Sequence, residues 1–333
     1  MNNITIEGIR YQREEFLNET SSLYTLSPFY CQLALFLKEW FSLSPLLTLY
    51  TSGSTGKPKA ITVRKEQMLQ SAAITCDYLG VKTGETALLC LPLEYIAGKM
   101  MVVRALYGGL NLLYNSLQSK KEKERLIKIG RLIIGGGAID PQLEEVLKDL
   151  PNAIYSTYGM TETVSHIALR RISGKEADAW YSPLPGVQVK LSEERTLVIN
   201  APRITDKLLV TNDIAKIGTK GTFRILGRKD NVINSGGIKI QIEAVEELLK
   251  PHIAGPFAVT SVPHPRLGEA VVLLTTPATG PDHAREACSL YLPHLQQPQH
   301  FLVVEEIPRT VSSKTDRVAV KKMASERIPT PGL

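Results

Sequence analysis

Apolar and polar residues change their spacing several times along this 333-residue chain, and each change predicts an element. Residues 28–42 carry Leu, Ala, Phe and Trp at three- and four-residue intervals, the signature of an amphipathic helix, and residues 64–79 and 97–106 predict two more. Gly108 and Gly109 stop the last of them. Short apolar runs at 46–50, 86–92, 132–134 and 153–159 read as buried strands. Asp140-Pro141 reads as the capped start of a further helix. This strand–loop–helix alternation predicts an α/β architecture. From about Gln188 the pattern shortens to strand-length runs at 187–191, 196–200, 207–211 and 223–226. Beyond Asp230 the spacing predicts a helix from Ile242 and strands at 257–262 and 270–275. A domain boundary is therefore expected near Asp230, with a large domain over 1–229 and a small one over 230–333.

Composition narrows the class without choosing a function. Hydrophobic residues make up 43% and charged residues 22%, an ordinary globular balance. No apolar run reaches the ~18 residues of a membrane span, and the N-terminus lacks the basic and apolar regions of a signal peptide. Cys31, Cys76, Cys90 and Cys288 lie far apart with no CxxC pair, so reduced and mostly buried thiols in a cytoplasmic protein are expected. The net charge is +6, but the lysines and arginines are spread along the chain. The densest group, residues 120–125, is interleaved with acids and reads as a solvated helix face, which argues against nucleic acid. A positive field suits a nucleotide, a thiol cofactor bearing phosphates, or a carboxylate equally well.

Chemistry is concentrated in a few stretches. After the apolar run 46–50 comes a loop, Thr51-Ser52-Gly53-Ser54-Thr55-Gly56-Lys57-Pro58-Lys59. Glycines let backbone approach closely, hydroxyls donate to phosphate oxygens, and lysines neutralise charge, so the loop suits a polyphosphate. It is not a Walker A loop, because Thr51 stands where that pattern has its first Gly and Pro58 where it has Ser or Thr. Alone, it could equally be a surface loop with two solvated lysines. Further along come Gly135-Gly136-Gly137 after a strand, Ser156 to Glu162, Thr211-Asn212-Asp213, the run Leu226 to Glu246, and Lys314 near the C-terminus.

Together, in this order, these stretches closely resemble the motifs of the adenylate-forming superfamily: acyl-CoA synthetases, peptide-synthetase adenylation domains and luciferases. The resemblance covers residues 48 to 317. It implies a large α/β N-terminal domain and a small mobile α+β C-terminal domain that turns about a hinge at Asp230. It implies ATP, Mg2+ and coenzyme A as ligands. Residues 51–59 would bind ATP phosphates, the triple glycine 135–137 would line the adenine pocket, and Tyr158, beside Gly159, would stack on the base. Thr161 would contact the α-phosphate, and Glu162 would hold Mg2+, which favours one or two carboxylates plus phosphate oxygens. Asp213 would accept the ribose hydroxyls and Arg228 would contact the ribose. Where the superfamily has Gly before that Asp, this chain has Asn212, a residue that tolerates a left-handed turn. Ser235, Gly236 and Gly237 would approach the coenzyme A thiol, although the same residues could simply form a hairpin before an amphipathic helix. Lys314 would bind the acid carboxylate and α-phosphate during adenylation. No general base is needed, since an ionised carboxylate is already a nucleophile.

Only 47 residues precede Thr48, fewer than members of the superfamily carry, so a reduced N-terminal subdomain and a homodimer covering exposed faces are expected. The segment Leu91 to Gly98 resembles the Leu-Pro-Leu-x-His-x-x-Gly stretch of the o-succinylbenzoate–CoA ligases, with Tyr95 in place of the histidine. That resemblance implies a dicarboxylate acid in menaquinone biosynthesis. Tyr95, Lys99, Arg104, Tyr114 and His166 are the candidates for the acid pocket, with an arginine best suited to a second carboxylate. Three alternatives stay open: another aryl or short-chain acid, a carrier protein as acyl acceptor, and a nucleotide-binding protein without catalysis.

Overall fold

The structure, a computed structural model, describes residues 2–50, 60–114, 129–137, 139, 141–310 and 314–328. Local signals set the principal helices. Ser27 caps the helix Pro28–Phe41 by accepting from the Tyr30 N–H, and Pro28 occupies its first turn. That helix buries Leu33, Leu37, Trp40 and Phe41 on one face. The helices Lys65–Leu79 and Ile96–Gly108 both end on a left-handed glycine, Gly80 and Gly109.

Three sheets and a strand pair make up the chain as far as Arg228. In the first sheet Asn3–Ile6 and Thr86–Leu89 both run parallel to Asn111–Tyr114, and Ile9–Gln12 adds an antiparallel edge. In the second, Arg131–Ile134 is parallel to Ala153–Gly159, which pairs antiparallel with His166–Arg171. The third is wholly antiparallel: Gln188–Leu191, Thr196–Asn200, Leu209–Ile217 and Phe223–Arg228. The strands Leu46–Tyr50 and Ala60–Arg64 pair antiparallel, in a register that sets Tyr50 opposite Ala60. One apolar core, running from Ile4 to Phe223, joins these elements.

A second body begins after Asp230. The hairpin Val232–Ser235/Ile238–Gln241 joins Gly268–Thr275 and Phe257–His264, and His300–Val303 adds parallel to the sheet. Two further cores flank this sheet, one with the helices Ile242–Leu249 and Pro281–Tyr291, the other with Arg317–Arg327. None of their residues precedes Ile233.

Several expectations change in detail. The strand expected to end at Pro92 stops at Leu89, opposite Tyr114. The strand expected at 207–211 runs over Leu209–Ile217. Cys76 and Cys288 are buried, but Cys31 is half-buried and Cys90 exposed, so only two of the four thiols are enclosed. Burial pushes Cys76 and Cys288 up to about 11. Among the described residues no helix is long and apolar enough to cross a membrane.

Candidate active site

Two clusters gather the candidate residues. The first lies where the antiparallel sheet meets the strand Ala153–Gly159. In the register of that sheet Asp213 stands directly opposite Arg228. Asp213 is almost fully buried, and the Tyr158 hydroxyl donates to its Oδ2 at 2.6 Å. Burial and the Asp213 charge both push the Tyr158 phenol well above its ordinary value, so it stays a donor. Arg228 reaches Asp213 Oδ1 at 3.4 Å with one nitrogen and Asp230 Oδ2 at 2.9 Å with the other. Asn212 Nδ2 donates to the same Asp230 oxygen at 3.2 Å. Asn212 lies within a continuous strand and has no left-handed backbone, so its tolerance of such a turn is not used; it serves as a donor instead.

Lys314 completes this cluster from the small body. Its Cε lies 3.5 Å from where a Cβ on Gly137 would stand, so the lysine packs along the turn after Arg131–Ile134. The loop carrying it is clasped at its base: Thr310 N–H donates to Lys314 O at 2.7 Å, and Asp316 N–H to Pro308 O at 2.9 Å. Crowding by protein and the Arg228 charge lower the Lys314 ammonium, and Asp213 opposes them. Tyr158 and Arg228, from strands distant in sequence, thus converge on the Asp213 carboxylate, with Lys314 nearby.

The glycine of the Tyr158-Gly159 pair is fixed by contact. A Cβ on Gly159 would lie 2.3 Å from the Ser165 carbonyl oxygen, a distance no side chain can occupy. Thr161 and Glu162 follow on the short turn Thr161–Thr163. Glu162 is exposed and has no hydrogen-bond or ion-pair partner among the described residues, so its carboxylate is free to take a cation. Val164 then has φ +64° and ψ −44°, and the Ser165 N–H donates to Thr163 O at 2.6 Å. This is a γ-turn centred on a buried β-branched residue, a strained conformation.

The second cluster follows that turn. Arg104 is buried in the helix Ile96–Gly108. One of its terminal nitrogens, Nη2, donates to Ser165 Oγ at 2.8 Å and lies 3.4 Å from His166 Nδ1. Its Nη1 faces only the Met101 sulfur at 3.7 Å, and its Nε is buried with no partner among the described residues. No carboxylate pairs with it among those residues, and burial lowers its guanidinium to about 10. His166 is buried too, its Nε2 is 3.0 Å from Thr75 Oγ1, and burial together with Arg104 lowers its imidazole well below the ordinary value.

The other candidates sit elsewhere. Residues 51–59 lie outside those described, as does Asp140. Gly135 packs against Thr157, and Gly136 has φ +97°. Ser235, Gly236 and Gly237 belong to a hairpin in which Ser235 pairs with Ile238, and both glycines have positive φ, as a two-residue turn of this type demands. Tyr95 precedes the helix Ile96–Gly108 as its N-cap. Lys99 lies over the Phe36 ring at 5.7 Å, and Tyr114 stacks on Phe29 at 3.4 Å, so neither shares the Arg104 cluster. Thr75 and Ser165 were not among the residues singled out from the sequence. The available signals were Ser71 and Thr75 interrupting the apolar face of the helix Lys65–Leu79, and the adjacency of Ser165 to His166.

Residues 39–127 match the family model for the AMP-binding enzyme. A 2-succinylbenzoate–CoA ligase of Bacillus mycoides is 25% identical over 351 residues, covering 87% of this chain and 73% of the relative. Its counterpart from Listeria monocytogenes is 24% identical over 343 residues, covering 87% and 72%. Among solved structures, an acyl-CoA synthetase (AMP-forming)/AMP-acid ligase II-like protein from Dyadobacter fermentans aligns with a TM-score of 0.58 and 29% identity, over 93% of this chain and 98% of its own. The o-succinylbenzoate CoA synthetase of Bacillus subtilis, in complex with its acyl-adenylate intermediate, aligns with a TM-score of 0.71 and 20% identity, over 86% and 70%. The chain thus has the fold of the adenylate-forming enzymes.

Proposed function

We propose that this chain, an AMP-forming acid–CoA ligase of the AMP-binding enzyme family, activates an acid that bears a second carboxylate, and that the acid is o-succinylbenzoate. In the first step an oxygen of the ionised carboxylate attacks the α-phosphorus of ATP, forming acyl-AMP and releasing pyrophosphate. In the second the coenzyme A thiol, losing its proton, attacks the acyl carbon, and AMP leaves. Asp213, oriented by the Tyr158 hydroxyl and Arg228, would accept the ribose hydroxyls. Lys314 would meet negative charge developing on the acyl and phosphoryl oxygens; its packing beside Gly137 supports this reading. Glu162 would hold Mg2+, which when bound neutralises charge on the phosphates. Between the two steps the small body would turn about Asp230, bringing Ser235, Gly236 and Gly237 to the thiol.

The observation supporting the second carboxylate is Arg104. A buried charge is normally paired, and this one has no anionic partner among the described residues. An acid with one free carboxylate beyond the reacting one would supply that partner. The names of the relatives favour the same acid. The test is AMP and acyl-CoA formation from ATP, Mg2+ and coenzyme A over a panel of o-succinylbenzoate, its methyl ester at the non-reacting carboxyl, benzoate, short fatty acids and amino acids. Preference for o-succinylbenzoate over the ester is expected. Equal turnover of the ester would remove the second carboxylate from the reading, and acyl-AMP without thioester would point to a carrier protein as the acceptor.

A further inference from the structure

His166 sits beside Arg104, yet both of its ring nitrogens are engaged by protein: Nε2 by Thr75 Oγ1 at 3.0 Å and Nδ1 by Arg104 Nη2 at 3.4 Å. Hydrogen-bond polarity fixes the ring from both ends. An arginine only donates, so Nδ1 must present its lone pair. Thr75 has one hydroxyl proton and donates it to Ser71 O at 3.0 Å, so it can only accept from the ring, and Nε2 must carry the hydrogen. The two constraints agree on one neutral tautomer. Every group in the line is buried.

We propose that Thr75 and His166 form a polar relay that aims Arg104 at the second carboxylate of the acid, with His166 acting through Arg104 and never touching the acid. The inference rests on the reading of Arg104 as the contact for that carboxylate. A neutral imidazole suits the task better than a carboxylate would. It fixes the guanidinium by one accepted hydrogen bond and leaves the whole positive charge for the ligand, whereas an Asp or Glu at this place would cancel it. His166 and Thr75 are therefore positioning residues that set which acid is preferred.

Two measurements on the full chain test this. The first is the 15N spectrum of histidine-labelled protein between about pH 5 and 8. His166 is expected to stay neutral with its hydrogen on Nε2, and Thr75→Val is expected to keep that tautomer while shifting the Nε2 resonance, since its hydrogen loses its acceptor. A His166 that titrates in this range, or that carries its hydrogen on Nδ1 in the unaltered protein, would overturn the relay. The second is the ratio of kcat/KM for o-succinylbenzoate to that for its methyl ester at the non-reacting carboxyl. Thr75→Val is expected to lower this ratio about tenfold, chiefly through KM for the dicarboxylate, and Thr75→Ser to restore it. An unchanged ratio in Thr75→Val, while Arg104→Met abolishes the preference, would refute the positioning role. If Arg104→Met discriminates as the unaltered enzyme does, the substrate reading and the aiming role both fail, and the spectra alone decide whether the relay exists.

Discussion

Replacing Arg104 by Met is expected to make the protein more stable and less selective at once. The guanidinium falls from an ordinary 12.5 to about 10 because it is buried. That difference corresponds to roughly 3 kcal/mol against the charged form in the folded state. The sign follows from the order of the two values. The folded value lies below the unfolded one, so the penalty is present in full at any pH below about 10 and fades as pH rises toward 12.5. Methionine removes that penalty and fills much of the same volume. It also leaves Ser165 Oγ and His166 Nδ1 without their donor, at about 1 kcal/mol each. The balance is a gain of about 1 kcal/mol at neutral pH, read as a higher urea midpoint and a Tm raised by a few degrees. Against this, losing the partner of a desolvated carboxylate costs about 2–5 kcal/mol of binding, so kcat/KM for o-succinylbenzoate should fall by at least about 30-fold while its monoester is little affected. Saturating o-succinylbenzoate should raise the Tm of the unaltered protein more than that of the variant. A variant destabilised by more than about 2 kcal/mol would refute the reasoning, because it would mean that the guanidinium is compensated within the fold.

Three further outcomes concern the nucleotide half of the site. Tyr158→Phe removes the 2.6 Å donor to the buried Asp213 and should raise KM for ATP about tenfold or more, measured by AMP release; an unchanged KM would separate that hydroxyl from nucleotide binding. Lys314→Ala should lower adenylation about a hundredfold without shifting the urea midpoint, since its ammonium has no ion-pair partner among the described residues, and full activity would end its role. Gly159→Ala forces a methyl to within 2.3 Å of the Ser165 carbonyl and should cost about 1–3 kcal/mol of stability together with adenylation. Gly130→Ala, where the added methyl meets open space, is the control and should stay within about 0.5 kcal/mol.

Local chain geometry was legible in the sequence. Tyr158-Gly159, Thr211 to Asp213 and Gly236-Gly237 each depend on neighbours a few positions away, so their pattern survives in the linear chain. The apolar spacing likewise marked the helices Pro28–Phe41, Lys65–Leu79 and Ile96–Gly108 to within a few residues. The Arg104 cluster was only partly legible. Its members come from two helices and a strand edge, up to 91 positions apart for Thr75 and His166, and no local rule links a threonine to a distant ring nitrogen. Lys99 illustrates the converse. It stands near Arg104 in sequence and suits an anion as well by charge, but the helix turns it over Phe36, and only packing decides which cation faces the cluster. Asn212 departs from the expected glycine because its backbone stays extended, which leaves its side chain free to reach Asp230.

The strained turn at Val164 joins the two halves of the site. Thr161 and Glu162 precede it and Ser165 and His166 follow it, so one reversal of the chain carries the nucleotide motif on one side and the arginine contacts on the other. A left-handed β-branched residue costs on the order of 1–3 kcal/mol and persists only where its surroundings over-determine it. Here they do. Val164 is buried in the main core, its N–H donates to Thr161 O at 2.9 Å, and Thr163 Oγ1 donates to Ser165 O at 2.7 Å. Gly159 closes the remaining space, with Ser165 O and His166 Cα where its Cβ would lie. An unstrained chain at this point would lengthen the path between Glu162 and Ser165 and move either the proposed metal ligand or the Arg104 contact. On the proposed roles of Glu162 and Arg104, the strain would be the cost of holding the phosphate end and the acid end of the reaction at a fixed separation, which an in-line attack of carboxylate on phosphorus requires.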